Sequence, residues 1–248
     1  MFIATEQQGG TMPAPTSGAA SRTAVVLGGT SGIGKEIVKS MAHKGTTVFL
    51  SGRTSESAQK AAAEIGLNTV GIAVDLAEPD SIAASLADIE TLDYLVIPAI
   101  ERDANTIADY NVARAIRLVT LKLVGYAESI HALRERFTPD GSIVLFGGLA
   151  LQRPYPGSTT VSTVNGGVVG LVHSLTTELA PVRINAIHPG IVGDSPFWEN
   201  KDNSHIIART PLGRLVTMQE VVHSVEFLLE NSGVNGVNLA VDGGWLLK

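Results

Sequence analysis

From Thr23 onward, short apolar runs rich in β-branched residues alternate with segments whose apolar positions recur at helical spacing. The pattern predicts strands over Ala24–Leu27, Thr47–Leu50, Val70–Val74, Tyr94–Ile97, Ser142–Phe146, Arg183–His188 and Asn238–Val241. Between them it predicts helices over Ile33–His43, Ser57–Ile65, Ser81–Ala87 and Thr159–Leu179, and a last helix over Gln219–Glu230. A long helical stretch from Thr106 to Arg136, broken at most once, precedes the Ser142 strand. Gly193–Arg209 has no clear period. Strict alternation of apolar strands with helices predicts a parallel sheet buried on both faces. Right-handed crossovers then make a doubly wound α/β sheet the expected topology. Connections are short and no repeat is present, so residues 22–248 read as one domain.

Residues 1–21, rich in Gly, Ala, Thr, Ser and Pro, lack that pattern and read as a disordered tail, with Met12 as a second start site. They have neither the basic start nor the apolar stretch of a signal peptide, and no segment reaches the roughly 18 apolar residues of a membrane span. A cytoplasmic protein without membrane partners is expected. The chain has 248 residues, 24 acidic against 18 basic side chains and a net charge of −6, which argues against a nucleic-acid binder. No cysteine is present, which removes disulfides, thiolate metal sites and thiol nucleophiles together. No His and carboxylate spacing fits a metal site, so no metal is expected. Charged residues are 17% of the chain, against about 25% in an average protein, so part of the surface is expected to be hidden in an oligomer.

The first strand runs into Gly28-Gly29-Thr30-Ser31-Gly32-Ile33-Gly34 and then a helix. Glycines allow a tight turn and close backbone approach to a pyrophosphate, and the helix N-terminus presents unpaired N–H groups and a positive dipole end. A glycine-rich turn is weak alone; following the first strand of an alternating chain, it marks a Rossmann-type dinucleotide fold with helices on both faces of the sheet.

The spacing is G-x-x-x-G-x-G, and with four further segments it resembles the short-chain dehydrogenase/reductase family. Those segments are Val74-Asp75-Leu76, Arg183-Ile184-Asn185 through Pro189-Gly190, Pro211-Leu212-Gly213-Arg214 and Val241-Asp242-Gly243-Gly244, in family order. The resemblance covers nearly everything after residue 22. It implies that Gly28, Thr30, Ser31, Gly32, Ile33 and Gly34 hold the cofactor phosphates. Asp75 and Leu76 would contact the adenine, and Pro189, Gly190 and Ile191 the nicotinamide end. The second strand ends Ser51-Gly52-Arg53, where NAD-selective members place a carboxylate for the ribose hydroxyls. Gly52 cannot serve, and the Arg53 guanidinium matches a 2′-phosphate in charge and fork geometry, so NADP(H) is expected over NAD(H).

The family's chemistry uses a Tyr that handles the substrate proton, a Lys four residues later, a Ser and an Asn. Aligned from Gly141, the Ser position falls on Gly148, the Tyr on Val161, the Lys on Asn165 and the Asn on Thr120. The four tyrosines, 94, 110, 126 and 155, offer no Tyr-x-x-x-Lys in another frame. Val161 has no proton to give. Asn165 can still bond ribose hydroxyls, though without charge. Tyr155, in Arg153-Pro154-Tyr155-Pro156, is the candidate replacement acid, weighed against an aromatic packed on the cleft rim. His188 before Pro189-Gly190 is a second, against a structural strand-end histidine. Glu101, Arg102 and Asp103 would line the cleft mouth, as substrate contacts or as a solvated loop. Three functions stay open: an NADP(H)-dependent oxidoreductase with a non-standard or absent proton donor, a catalytically inactive nucleotide-binding or assembly protein, and a non-redox isomerase, cyclase or lyase using the same cleft. The resemblance also implies a homodimer or homotetramer, and the nearly uncharged Val161–Leu175 and Leu239–Leu247 would supply its contacts.

Overall fold

In the computed structural model, residues 21–248 are described; the tail expected over residues 1–21 lies almost wholly outside them. Seven parallel strands form one sheet in the order β3-β2-β1-β4-β5-β6-β7. They are β1 Thr23–Leu27, β2 Thr47–Gly52, β3 Thr69–Ala73, β4 Leu92–Ile97, β5 Phe137–Phe146, β6 Arg183–Pro189 and β7 Asn238–Val241. The order reverses between β1 and β4, and the crevice beyond the carboxyl ends of these strands is the ligand site of such sheets.

Helices cover both faces. On one face α1 Gly32–His43, α2 Ser55–Ile65 and α8 Met218–Glu230 bury Ile37, Val38, Met41, Ala58, Val222 and Val225 against Val26, Leu50 and Val144. The other face carries α3 Ile82–Ser85, α4 Val112–Val119, α5 Gly125–Leu133 and α6 Thr159–Glu178. There Leu118, Tyr126, Ile130, Val168 and Val172 are buried, most of them packed on Leu27, Leu95 and Leu145. The central strands β1 and β4 are buried almost end to end, which explains their unbroken apolar runs.

Three segments differ from the sequence expectation. The long helix starts at Val112, because Asn111 caps it by accepting the Arg114 N–H at 2.9 Å. Upstream, Thr106 accepts the Asp109 N–H in a turn, and buried Asn105 accepts the Asn111 N–H at 2.8 Å. The helix is not broken; it passes through a π turn over Thr120–Val124 between α4 and α5. Strand β5 begins five residues early, since Phe137 pairs with Leu92 before a register shift leads to Tyr94 opposite Ser142. A short helix, α7 Ser204–Ile207, lies within the aperiodic Gly193–Arg209 stretch.

Among the described residues no helix is long and apolar enough to cross a membrane, and no group of three or more His, Cys, Asp or Glu is placed to hold a metal ion.

Candidate active site

A cleft of about 830 Å³ opens over the carboxyl ends of the sheet. Every residue expected to contact a cofactor lines it: Gly28, Thr30 to Gly34, Arg53, Asp75, Leu76, Asn165 and Pro189 to Ile191. Val161, Gly148 and Tyr155 line the same space.

The phosphate end is built from backbone. Gly28 has φ +103°, and a Cβ there would stand 2.9 Å from Ala99 N and Cα. A Cβ on Gly34 would overlap the Gly28 carbonyl. Only glycine lets the turn approach the first helical turn this closely. Ser31 is the N-cap of α1 and makes no side-chain cap bond, so the first-turn N–H groups are left to a ligand.

The ribose end is charged. Asp75 Oδ1 accepts the Ala77 N–H at 2.9 Å, and its other oxygen meets Arg117 at 3.4 Å. Arg117 grips Glu101 through Nε at 2.9 Å and Nη2 at 2.6 Å, and the Glu101 contact holds the guanidinium protonated well above its ordinary range. Arg53 is 72% exposed and only 3.7 Å from Glu101, whose charge Arg117 already engages. A Cβ at Gly52 would stand 2.5 Å from Ser57 Oγ, so no carboxylate fits there without displacing the start of α2.

At the expected chemical end, Gly148 and Asn165 are matched. A Cβ on Gly148 would lie 2.8 Å from Asn165 Nδ2, so a larger residue at 148 would crowd the Asn165 amide. Asn165 is 2% exposed and its Oδ1 has no hydrogen-bond partner. His188 is a tie rather than an acid: Nδ1 accepts the Gly148 N–H at 3.1 Å and Nε2 faces Asn238 Oδ1 at 3.0 Å. Burial lowers its pKa and keeps it neutral. Tyr155 is 54% exposed on the rim, where Ser158 Oγ accepts its backbone N–H. Glu101 and Asp103 pair with Arg117 and Arg114, while Arg102 stacks over Phe197.

One group in the cleft was missed by sequence reasoning. Lys122, in the π turn, is 1% exposed, lines the cleft, and its Nζ has no hydrogen-bond partner. Burial pushes its pKa down to about 7. The signal was present in the sequence: Leu118, Lys122 and Tyr126 are spaced four apart on a buried face that also holds Ala115, Leu121 and Ile130.

Buried polar groups are normally paired, so an orphan acceptor and an orphan donor in one cleft fit a polar ligand. With the glycine cradle and the helix N-terminus, these residues fit a dinucleotide, its phosphates at Ser31–Gly34 and a ribose at Asn165. Sheet order and cleft together define an α/β protein of the Rossmann type, the architecture of dinucleotide-binding domains.

A family model described as enoyl-(acyl carrier protein) reductase matches residues 28–246. A 3-oxoacyl-[acyl-carrier-protein] reductase of Mus musculus is 30% identical over 230 residues, covering 90% of this chain and 97% of that one. Carbonyl reductase family member 4 of Xenopus laevis is 32% identical over 233 residues, 90% and 98% of the two chains. Among solved structures, a short-chain dehydrogenase/reductase from Brucella melitensis superposes with TM-score 0.85 at 27% identity, over 90% of this chain and 96% of that one. The chain belongs to the short-chain dehydrogenase/reductase family, whose members bind nicotinamide cofactors, and the relatives just named are oxidoreductases.

Proposed function

We propose that this protein is an NADP(H)-dependent oxidoreductase acting on a carbonyl or alcohol substrate without the family's usual Tyr and Lys. The observation that carries the reading is the nucleotide half of the cleft: the glycine turn, Asp75 and Arg53 are in place although the positions of the proton-handling residues hold Val161, Asn165 and Gly148. Gly34 and Gly28 keep the loop open to the phosphates, and Arg53, beside the hydroxyls of Thr54 and Ser57, suits a 2′-phosphate. When bound, the nicotinamide supplies or accepts the hydride. Leu149, Phe197, Trp198 and Trp245 line the remaining space, which suits an apolar carbonyl compound, with Arg102 and Arg153 held against the rings.

Fluorescence titration tests the proposal. NADPH is expected to bind at least about tenfold more tightly than NADH. Arg53→Ala is expected to erase most of that preference, since a charge-assisted hydrogen bond is worth about 1.5–3 kcal/mol. Absence of NADPH binding at millimolar concentration would overturn it. The emptied Tyr position, Val161, favours a second reading, a nucleotide-binding protein or a non-redox enzyme in the same cleft. Tight NADPH binding with no turnover across a broad panel of carbonyl compounds would select that reading.

We also infer a homodimer or homotetramer. Val112, Ile116 and Val119 of α4 are exposed, and Gly166 and Gly170 of α6 face open space. These flat, uncharged helix faces support self-association.

A further inference from the structure

Lysines on helices usually lay their methylenes along apolar neighbours and keep the ammonium in water. Lys122 does not. It stands one turn from both Leu118 and Tyr126 on the buried face, and the whole residue is 1% exposed. Its Nζ lies 5.5 Å from the centroid of the Tyr126 ring. The Tyr126 hydroxyl is not a hydrogen-bond partner for it, because it donates to the Ala99 carbonyl at 2.8 Å, which leaves only the ring face beside the ammonium. Burying a cation with no hydrogen-bond partner or counter-charge is costly, and such a residue persists where the charge has a use. The local backbone is unusual as well: Lys122 is the centre of a π turn, a distortion that recurs at functional sites. That turn packs against α6, which carries Val161 and Asn165, and all three residues line one cleft with Gly147 and Gly148.

We propose that Lys122 is the proton-carrying group of this cleft, an amine brought from the α4–α5 helix to do at the substrate oxygen what Val161 and Asn165 cannot. The proposal rests on the oxidoreductase reading above. In the reducing direction an Nζ–H bond breaks and an O–H bond forms at the substrate carbonyl oxygen, while the carbonyl carbon is reduced by the hydride of the nicotinamide coenzyme. The neutral amine left behind takes a proton from water. In the oxidising direction the neutral amine accepts the alcohol proton. A general acid must lose its proton readily near the working pH. With a pKa of about 7, set by burial alone, Lys122 populates both forms at neutrality.

The groups around it leave that balance undisturbed. On its own helix the neighbour is Tyr126, which burial holds neutral. From β6 comes His188, whose pKa is lowered, in part by Lys122 itself. In the loops after β3 and β4, Asp75 and Glu101 are engaged by Arg117, and Asp103 by Arg114. Arg102, Arg153 and Tyr155 line the cleft toward its rim. The α6 residues in the cleft, Val161 and Asn165, are uncharged. No carboxylate offsets the burial of Lys122.

The test uses the full chain, NADP⁺ and NADPH, and does not require a known substrate. The lysine side-chain carbons are labelled with ¹³C, and the Lys122 resonance, assigned by its loss in Lys122→Met, is followed with pH. It is expected to titrate near 7, against about 10.4 for an ordinary lysine. On this proposal the Lys122 ammonium would stand close to a bound nicotinamide, where it would repel the positive ring of NADP⁺ but not the neutral ring of NADPH. NADP⁺ affinity is therefore expected to rise about tenfold from pH 6 to pH 9 relative to NADPH. Lys122→Met should bind NADP⁺ tightly at both pH values, and Lys122→Arg, which keeps its charge, weakly at both. A Lys122 midpoint near 10, or the same pH slope in Lys122→Met, would overturn the proposal while leaving the oxidoreductase reading intact. Failure of the unmodified protein to bind either nucleotide would instead overturn the oxidoreductase reading, and this proposal with it.

Discussion

Gly34 and Lys122 show how single residues decide what this cleft can do. At Gly34 the constraint is steric. A methyl group there would occupy the space of the Gly28 carbonyl, so Gly34→Ala must push the loop away from the first turn of α1. Overpacking of this kind costs about 1–3 kcal/mol or more. Gly34→Ala is expected to lower the melting temperature by several degrees and to weaken NADPH binding by at least about tenfold, read by thermal shift and fluorescence. At Lys122 the constraint is electrostatic. Its pKa falls from 10.5 in the unfolded chain to about 7 in the folded one. Between those values the unfolded chain binds more protons, so native stability rises with pH from about 7 to about 10 and is lowest at and below 7. Lys122→Met removes the buried charge and with it this slope. The variant is expected to melt higher than the parent, by more at pH 6.5 than at pH 9.5. An unchanged or lower melting temperature at pH 6.5 would show that the ammonium has a partner in solution.

At the scale of elements, the ends of helices and strands carry much of the specification. Helix α8 opens with a capping box: Thr217 accepts the Glu220 N–H, and the Glu220 carboxylate accepts the Thr217 N–H at 2.9 Å. Glu220 is also gripped by Arg214 at 2.7 Å, and these contacts hold its pKa down to about 2. Thr217→Ala is expected to cost about 1 kcal/mol, a fall of about 2–4 °C in melting temperature for a chain of this size. The Arg183-Ile184-Asn185 segment, one of the family signatures, serves the same end. Arg183 donates to the Leu228 carbonyl at 2.8 Å and Asn185 to the Val234 carbonyl at 3.1 Å, tying β6 to the end of α8 and the turn beyond it. His188 continues the tie to Gly148 and Asn238, so β6 holds the floor of the cleft in register.

At the scale of the whole molecule, the low charge content bears on the proposed oligomer. The outward faces of α4 and α6 carry Val112, Ile116, Val119, Gly166 and Gly170. These faces are the surface through which the proposed self-association would run. Light scattering at micromolar concentration is expected to give a dimer or tetramer, and Ile116→Glu combined with Gly170→Arg a smaller species. A monomeric parent protein would refute the inference.

The alternation of apolar runs with helical periods determined the sheet, its parallel order and nearly every strand, because a strand buried on both faces must be apolar throughout. The glycine spacing determined the phosphate cradle for an equally local reason: tight turns and close backbone approach are set within a few residues. Gly28 is expected from that spacing, and Arg53, Asp75 and Asn165 from the family resemblance; all four line the cleft. Periodicity extends the helix back over Thr106–Tyr110, whereas the cap at Asn111 and the buried anchor of Asn105 that start it later depend on partners periodicity does not weigh. Only the tertiary structure decided which face of α4–α5 meets the cleft. The spacing of Leu118, Lys122 and Tyr126 places the lysine on the buried face, but burial against core and burial beneath a ligand site look alike in a sequence. Whether a buried amine is an error of packing or a chemical group depends on what stands opposite it. Here Val161 and Asn165 line the same cleft, brought there from an element about forty residues away by the packing of α6 on the π turn.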